Sequence, residues 1–105
     1  MSDEKFHFAA SLEQVSPGNM YRASVEGKTI LLANVEGKVF AVDDMCSHED
    51  ASLYLGALKG ECIKCPLHGS RFDLNTGEPL DDPADEPIQT YKVKIETDSI
   101  YVSIA

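Results

Sequence analysis

Two short motifs that each combine a cysteine with a histidine constrain this chain more than any other feature. C-S-H stands at residues 46–48 and C-P-L-H at residues 65–68. Side chains two positions apart in an extended segment point to the same side, so Cys46 and His48 can face a common centre. Pro66 favours a turn after Cys65 that can bring His68 to that centre. The pattern predicts a metal site built from two thiolates and two imidazoles.

This pattern resembles the signature of Rieske iron–sulfur domains, in which C-x-H is followed, after a spacer of similar length, by C-P-x-H-G. The resemblance continues through Gly69, Ser70, Phe72 and Asp73 and on to Asp82-Pro83-Ala84. It implies one [2Fe–2S] cluster, with Cys46 and Cys65 on one iron and His48 and His68 on the other. The residues implied to surround the cluster without ligating iron are Pro66, Leu67, Gly69, Ser70 and Phe72.

The same resemblance predicts the redox class of the centre. High-potential members of the family place a serine and a tyrosine after the second histidine, where they donate hydrogen bonds to sulfur, and some members join the two loops by a disulfide. Here Ser70 fills the first position, but Phe72 has no hydroxyl, and Ala51 and Leu67 occupy the disulfide positions. We therefore expect a reducing compartment and a midpoint potential in the lower part of the Rieske window, which spans roughly −150 to +300 mV.

Composition limits the class of protein further. At 105 residues, with 43% hydrophobic and 26% charged residues, the chain is expected to form one soluble domain, residues 1–105. No apolar run approaches the roughly 20 residues that cross a membrane, and the N-terminus lacks signal-peptide features, so we expect no membrane association and a cytoplasmic location. The net charge of −9 excludes nucleic acid as a partner, because the chain offers little to neutralise phosphates.

Acidic residues flank both motifs and admit two interpretations. They are Asp43, Asp44, Glu49, Asp50 and the acids between Asp81 and Glu86. They form either a solvated face or a rim that docks onto basic partner surfaces, where complementary charge speeds encounter. The sequence does not distinguish between these two roles.

Periodicity and turn signals predict an all-β fold, a small antiparallel sandwich or barrel. The repeated Glu-Gly-Lys at 26–28 and 36–38 marks tight turns between β-rich runs, which predicts a meander. The predicted strands are 5–9, 21–25, 29–35, 39–42, 61–64, 71–74, 89–96 and 99–104, with a hairpin signal at 75–77. The cluster-binding part, about residues 45–83, is expected between the basal strands, with Leu53, Leu55 and Leu58 covering the flank of the cluster.

Structural zinc is the alternative metal, because sites with two cysteines and two histidines commonly hold zinc. Cys62 and Cys65 form a C-x-x-C pair that is compatible with this alternative. Zinc fingers usually place the cysteines together and the histidines together, whereas here each motif mixes them. Alternation along a strand directs Cys62 away from the side of Cys65, so Cys62 is predicted to be an ordinary buried thiol.

The predicted function is electron transfer without catalysis. A chain of this length has no room for a substrate pocket or a second metal, so no catalytic residue is predicted. The chain is similar to the ferredoxin component of bacterial aromatic-ring-hydroxylating dioxygenase systems. That resemblance implies a one-electron carrier between a flavin-containing ferredoxin reductase and a terminal Rieske oxygenase, and we expect a monomer. The alternative is a small Rieske-like subunit of an assimilatory nitrite reductase.

Overall fold

Antiparallel strands dominate the computed structural model of the chain, which describes residues 5–46, 51–66, 69–81 and 86–104. The strands are β1 (Phe6–Ser11), β2 (Met20–Val25), β3 (Lys28–Val35), β4 (Lys38–Asp43), β5 (Ala57–Lys59), β6 (Cys62–Lys64), β7 (Arg71–Asp73), β8 (Thr90–Glu96) and β9 (Ser99–Ser103). The helical segments of the described chain are two 3-10 turns, Leu12–Gln14 and Leu53–Leu55. The predicted all-β class is confirmed. Among the described residues, no helix has the length and apolar character needed to span a membrane.

The larger of two sheets is antiparallel, with the strand order β1-β9-β8-β4-β3-β2. The sheet curls until it is nearly closed, and a contact between its two edge strands marks the seam. His7 on β1 places its Nδ1 atom 3.8 Å from Oε2 of Glu26, which lies at the end of β2. Strands β1 and β2 are the two edge strands of this sheet.

The predicted meander is confirmed as β2, β3 and β4. Both connecting turns have two central residues with positive φ: Glu26 and Gly27 at 50° and 81°, Glu36 and Gly37 at 52° and 95°. This is the type I′ geometry, whose twist matches that of the flanking strands. The two turns fix the register locally, so that Ala23 pairs with Ile30 and Ala33 with Phe40.

Strands β3 and β4 are buried on both faces and separate two hydrophobic cores, which explains their nearly continuous apolar sequence. Ile30 and Leu32 face the interior of the larger sheet, whereas Leu31 and Ala33 face the opposite way. The barrel core consists of Ala10, Val15, Ala23, Val25, Ile30, Leu32, Val39, Ala41, Ile100 and Val102. The loop core consists of Leu31, Ala33, Phe40, Val42, Cys46, Ala51, Leu53, Ile63, Cys65, Phe72, Leu74 and Ile88. The wall shared by the two cores positions everything inserted between β4 and β8.

A second, three-stranded sheet of order β5-β6-β7 lies in that insertion. Leu58, Ile63 and Phe72 are cross-strand neighbours on its three strands, and they turn the sheet's apolar face to the loop core. Strand β5 was not predicted, because its three residues stand between two glycines, a residue type that usually marks turns. The hairpin signal at 75–77 lies at a turn, residues 74–76, and the chain then returns along β7 through one isolated bridge, between Phe72 and Pro79.

Candidate metal centre

Two segments of the insertion carry the predicted ligands. The first ligand segment, residues 44–54, follows β4, and the second ligand segment, residues 65–70, connects β6 to β7. Cys46 and Cys65 are buried, at 3% and 2% exposed, and both belong to the loop core. The structure therefore brings the two predicted thiol ligands into one core. The two predicted imidazole ligands, His48 and His68, lie outside the described residues, as does Leu67.

Backbone hydrogen bonds bring the two described ends of the first ligand segment together. The Cys46 N–H donates to the Ala51 carbonyl at 2.9 Å, and the Leu53 N–H donates to the Asp44 carbonyl at 2.6 Å. An isolated antiparallel bridge joins Met45 to Ser52 between them. These contacts place the Cys46 backbone at the closed base of the segment.

A tight turn shapes the second ligand segment. The Cys65 N–H donates to the Ser70 carbonyl at 2.7 Å, and the Gly69 N–H donates to the Cys65 carbonyl at 3.1 Å. Gly69 has a φ of 76°, and a Cβ there would lie 3.1 Å from Cε of Lys64. A side chain at this position would meet both backbone strain and crowding. Pro66 is exposed at the start of the turn, whereas Ser70 is buried at its end.

The surroundings of the two cysteines are apolar. Leu53, Ile63 and Phe72 are fully buried in the same core, each at 0% exposed. The three leucines that were predicted to cover the flank of the cluster, Leu53, Leu55 and Leu58, differ in burial. Leu53 is in the core, Leu58 packs against it, and Leu55 is 67% exposed. Side chains on a short 3-10 turn point in different directions, which the spacing of the leucines did not indicate.

Gly56 allows a close backbone contact between two parts of the insertion. A Cβ at Gly56 would overlap the carbonyl oxygen of Lys64 on β6. The glycine therefore allows the end of the second 3-10 turn to approach the strand that leads to Cys65. A groove of about 460 Å³ runs beside this contact, lined by Leu55, Gly56, Ala57, Lys64, Cys65, Pro66 and Gly69.

Asp44 belongs neither to a solvated face nor to a docking rim, the two interpretations offered for the acidic residues. It is buried, with 3% of its surface exposed. Its Oδ2 accepts a hydrogen bond from Oγ of Ser52 at 2.5 Å, and its Oδ1 accepts one from the Tyr54 N–H at 2.9 Å. Nη1 of Arg22 lies 3.6 Å from Oδ2. No local sequence signal pointed to this role, since its partners lie on β2 and at the far end of the first ligand segment.

Two further acidic residues near the insertion have specific partners. Asp81 forms a paired interaction with Arg71, from Nε at 2.6 Å and Nη2 at 3.2 Å. These hydrogen bonds hold the pKa of Asp81 below its ordinary value and raise the pKa of Arg71. Oδ1 of Asp43 accepts a hydrogen bond from the Tyr91 hydroxyl at 2.5 Å. Burial, followed by this bond to Asp43, raises the pKa of Tyr91.

Cys62 is half-buried rather than buried, which corrects the prediction for this thiol. It pairs with Lys59 and Asp73 at the outer end of the small sheet, where the burial is incomplete. Cys62 is not a member of the loop core that contains Cys46 and Cys65. Within the described ranges, no group of three or more histidine, cysteine or acidic side chains is placed to hold a metal ion.

Comparisons with known proteins bear on this centre. The family model described as "Rieske [2Fe-2S] domain" matches residues 5–92. The ferredoxin component of the naphthalene 1,2-dioxygenase system of Pseudomonas aeruginosa is 39% identical over 102 residues, which make up 97% of this chain and 98% of that protein.

The fold of this chain is also similar to those of solved structures. A chain from the complex of reduced oxygenase and oxidized ferredoxin in carbazole 1,9a-dioxygenase superposes with a TM-score of 0.87 at 29% identity, covering 93% of this chain and 92% of that one. A putative NADH-dependent nitrite reductase small subunit from Mycobacterium tuberculosis superposes with a TM-score of 0.88 at 20% identity, covering 99% and 98%. The second likeness is one of fold alone.

Proposed function

Because this chain belongs to the Rieske [2Fe–2S] domain family, we propose that it carries single electrons from a flavin-containing ferredoxin reductase to a terminal ring-hydroxylating oxygenase. The observation that carries the proposal is the match to a dioxygenase ferredoxin over nearly the full length of both proteins. The predictions of a [2Fe–2S] electron carrier rather than a catalytic subunit are confirmed by this family match and by the ferredoxin relatives.

The proposed ligands are Cys46 and Cys65 to one iron and His48 and His68 to the other. The chemistry of the described donors fits this group, because two thiols from separate segments meet in one apolar core, and soft thiolates suit iron–sulfur clusters. A centre with this ligation supplies reversible one-electron transfer at roughly −150 to +300 mV. The residues of the chain hold it, exclude water and tune its potential.

The surrounding residues have distinct proposed roles. Ser70, buried at 1% exposed at the end of the second ligand segment, donates a hydroxyl hydrogen bond toward sulfur. Phe72 fills the core without a polar atom. Pro66 and Gly69 shape the backbone of the turn, and Leu67 has the proposed role of limiting solvent access to the cluster. One hydroxyl donor rather than two supports a midpoint potential in the lower part of the family's range.

The proposed docking face surrounds the two ligand segments. Four exposed large hydrophobic side chains of the described chain belong to the insertion between β4 and β8, and these are Met45, Tyr54, Leu55 and Leu80. Leu55 is 67% exposed and lines the groove beside Cys65. Small apolar contacts of this kind suit weak, rapidly exchanging electron-transfer partners. The net charge of −9 adds attraction to basic partner surfaces.

The proposal extends to the organisation of the protein. Residues 1–105 form one Rieske domain that works as a cytoplasmic monomer, with the part at about 45–83 inserted between basal strands. A shuttle between two partners needs both to reach the same exposed face in turn, which a monomer permits. The nitrite reductase alternative rests on fold likeness alone.

The first test is the metal content of the purified holoprotein. We expect equal amounts of iron and acid-labile sulfide, a reddish-brown colour, and reduction by a single electron. Reduced protein should then support turnover by a ring-hydroxylating oxygenase. A colourless protein containing zinc would contradict the proposal.

The second test replaces one docking residue and one matched control. Leu55→Ser should lower the rate of electron delivery to the oxygenase about fivefold, the effect of losing about 1 kcal/mol of contact energy, without moving the midpoint potential. Ile95→Ser changes an exposed residue of β8 on the barrel and should leave the rate unchanged. Equal rates for both variants would contradict the docking face.

A further inference from the structure

A buried carboxylate stands at the base of the first ligand segment. Asp44 follows β4 directly and is 3% exposed, so its charge must be compensated within the protein. Its two carboxylate oxygens accept hydrogen bonds from the Ser52 hydroxyl and the Tyr54 N–H, and its carbonyl accepts one from the Leu53 N–H. All three donors lie at the far end of the segment that contains Cys46. One residue therefore ties the start of the segment to its end.

Arg22 on β2 completes this connection from outside the insertion. Its Nη1 donates to Oγ of Ser52 at 3.0 Å and lies 3.6 Å from Oδ2 of Asp44. Its guanidinium carbon lies 5.3 Å from the centre of the Tyr54 ring, in cation–π contact. The guanidinium thus contacts Asp44, Ser52 and Tyr54 together, and it fastens the base of the segment to the meander.

Backbone contacts connect Asp44 to the proposed ligand Cys46. The bridge from Met45 to Ser52 and the hydrogen bond from Cys46 to Ala51 follow directly above the Asp44 contacts. The Cys46 backbone is therefore held by a series of contacts between the two ends of the segment. The first of these contacts is the polar, charged one made by Asp44. The described part of the structure has no covalent link that could hold this segment instead.

We propose that Asp44 and Arg22 are positioning residues that hold the Cys46 backbone in the geometry required for iron ligation. This inference rests on the proposed function, because it assumes that Cys46 is a ligand. Groups that orient metal ligands typically change metal affinity or activity by about 10–100-fold when they are removed. The inference therefore predicts an effect on the centre beyond any effect on folding.

The test measures the centre in the intact holoprotein. Asp44→Ala, Asp44→Asn and Arg22→Gln are compared with the wild type for the rate of bleaching by an iron chelator and for the EPR g values of the reduced protein. The control is Asn34→Ala, which removes a buried side chain that bonds the Val15 carbonyl and the Gly37 N–H at the other end of β3. All rates are compared at temperatures where the variants are equally folded.

We expect Asp44→Ala to bleach about 10-fold faster than the wild type and to shift the g values, while Asn34→Ala changes neither. Asp44→Asn keeps an acceptor for the Tyr54 N–H and should restore part of the difference. Arg22→Gln, at a half-exposed position, should show a smaller effect in the same direction, and it decides the matter if Asp44→Ala does not fold. Bleaching rates and g values equal to those of Asn34→Ala would overturn the inference alone. A wild-type protein without iron and sulfide would overturn the proposed function with it.

Discussion

At the residue scale, the second ligand segment and β7 place one polar and one apolar side chain beside the buried cysteines. Ser70 is 1% exposed and Phe72 is 0% exposed, and Phe72 shares the loop core with Cys46 and Cys65. A phenyl ring in this position fills space and offers no donor to a negatively charged sulfur. The difference between this domain and its high-potential relatives can thus depend on a single hydroxyl.

Phe72→Tyr is expected to raise the midpoint potential. A hydroxyl that donates to the sulfurs stabilises the reduced, more negative state by about 1 kcal/mol, which for one electron is about 40 mV. Redox titration of the wild type and the variant measures the difference. Phe72→Leu, which removes the ring without adding a donor, is the control and should show no rise. An unchanged midpoint in Phe72→Tyr would mean that the hydroxyl does not reach sulfur.

At the scale of the elements, the ion pair between Arg71 and Asp81 holds residues 78–81 against the small sheet. Arg71 on β7 donates to Asp81 from its side chain and from its backbone N–H, and its carbonyl accepts from the Leu80 N–H. Residues 78–81 have no strand of their own, so these bonds replace a regular ladder. The position of this segment beside the small sheet therefore depends on charge as well as on main-chain pairing.

This dependence predicts a loss of stability in acid. The hydrogen bonds from Arg71 lower the pKa of Asp81 in the folded protein, so the unfolded chain binds a proton more readily at this group. The stabilisation is complete above the unfolded-state pKa of about 3.9 and is lost as the pH falls through the lower folded-state value. Asp81→Asn should lower the melting temperature at neutral pH, and the difference from the wild type should disappear in strong acid.

Thermal unfolding followed by circular dichroism at several pH values measures this difference. Asp98→Asn is the matched control, because Asp98 lies in the exposed β8–β9 turn and forms no ion pair with the part of the chain that the structure describes. The control should unfold like the wild type at every pH. A gap between Asp81→Asn and the wild type that stayed constant down to strong acid would show that the ion pair is not its source.

At the scale of the whole molecule, the barrel core and the loop core share the wall formed by β3 and β4 but differ in function. The barrel core contains no proposed ligand, whereas Cys46 and Cys65 are members of the loop core. Strands β3 and β4 contribute to both cores from opposite faces. The barrel can therefore retain its packing when the loop core loses the centre that its cysteines are proposed to hold.

Removal of the cluster is expected to loosen the insertion and spare the barrel. In Cys65→Ser, backbone amides of β9 such as Ile100 and Val102 should keep their protection from hydrogen exchange, because their side chains belong to the barrel core. Amides of the small sheet such as that of Ile63 should exchange faster, because its side chain packs in the loop core. Hydrogen exchange read by NMR or mass spectrometry distinguishes this from a uniform loss of protection, which would contradict the division into two cores.

Local chemistry accounts for everything that could be predicted from the residues. The spacing of cysteines and histidines indicates the metal centre, and the Glu-Gly pairs at the type I′ turns indicate the meander, because a ligand motif and a two-residue turn involve only near neighbours in sequence. The all-β class follows from the same short-range periodicity. These features can be predicted without knowing which distant segments of the chain contact one another.

Long-range packing settled the remainder. Asp44 resembles its acidic neighbours in sequence, but it is buried because Arg22 on β2 and Ser52 and Tyr54 at the far end of the ligand segment converge on it. Gly56 looks like a turn residue, yet it is required by the approach of the Lys64 backbone, and Cys62 is half-exposed because the small sheet ends beside it. In each case the environment is made by residues far apart in the chain, and a side chain's burial and partners depend on contacts that local periodicity does not encode.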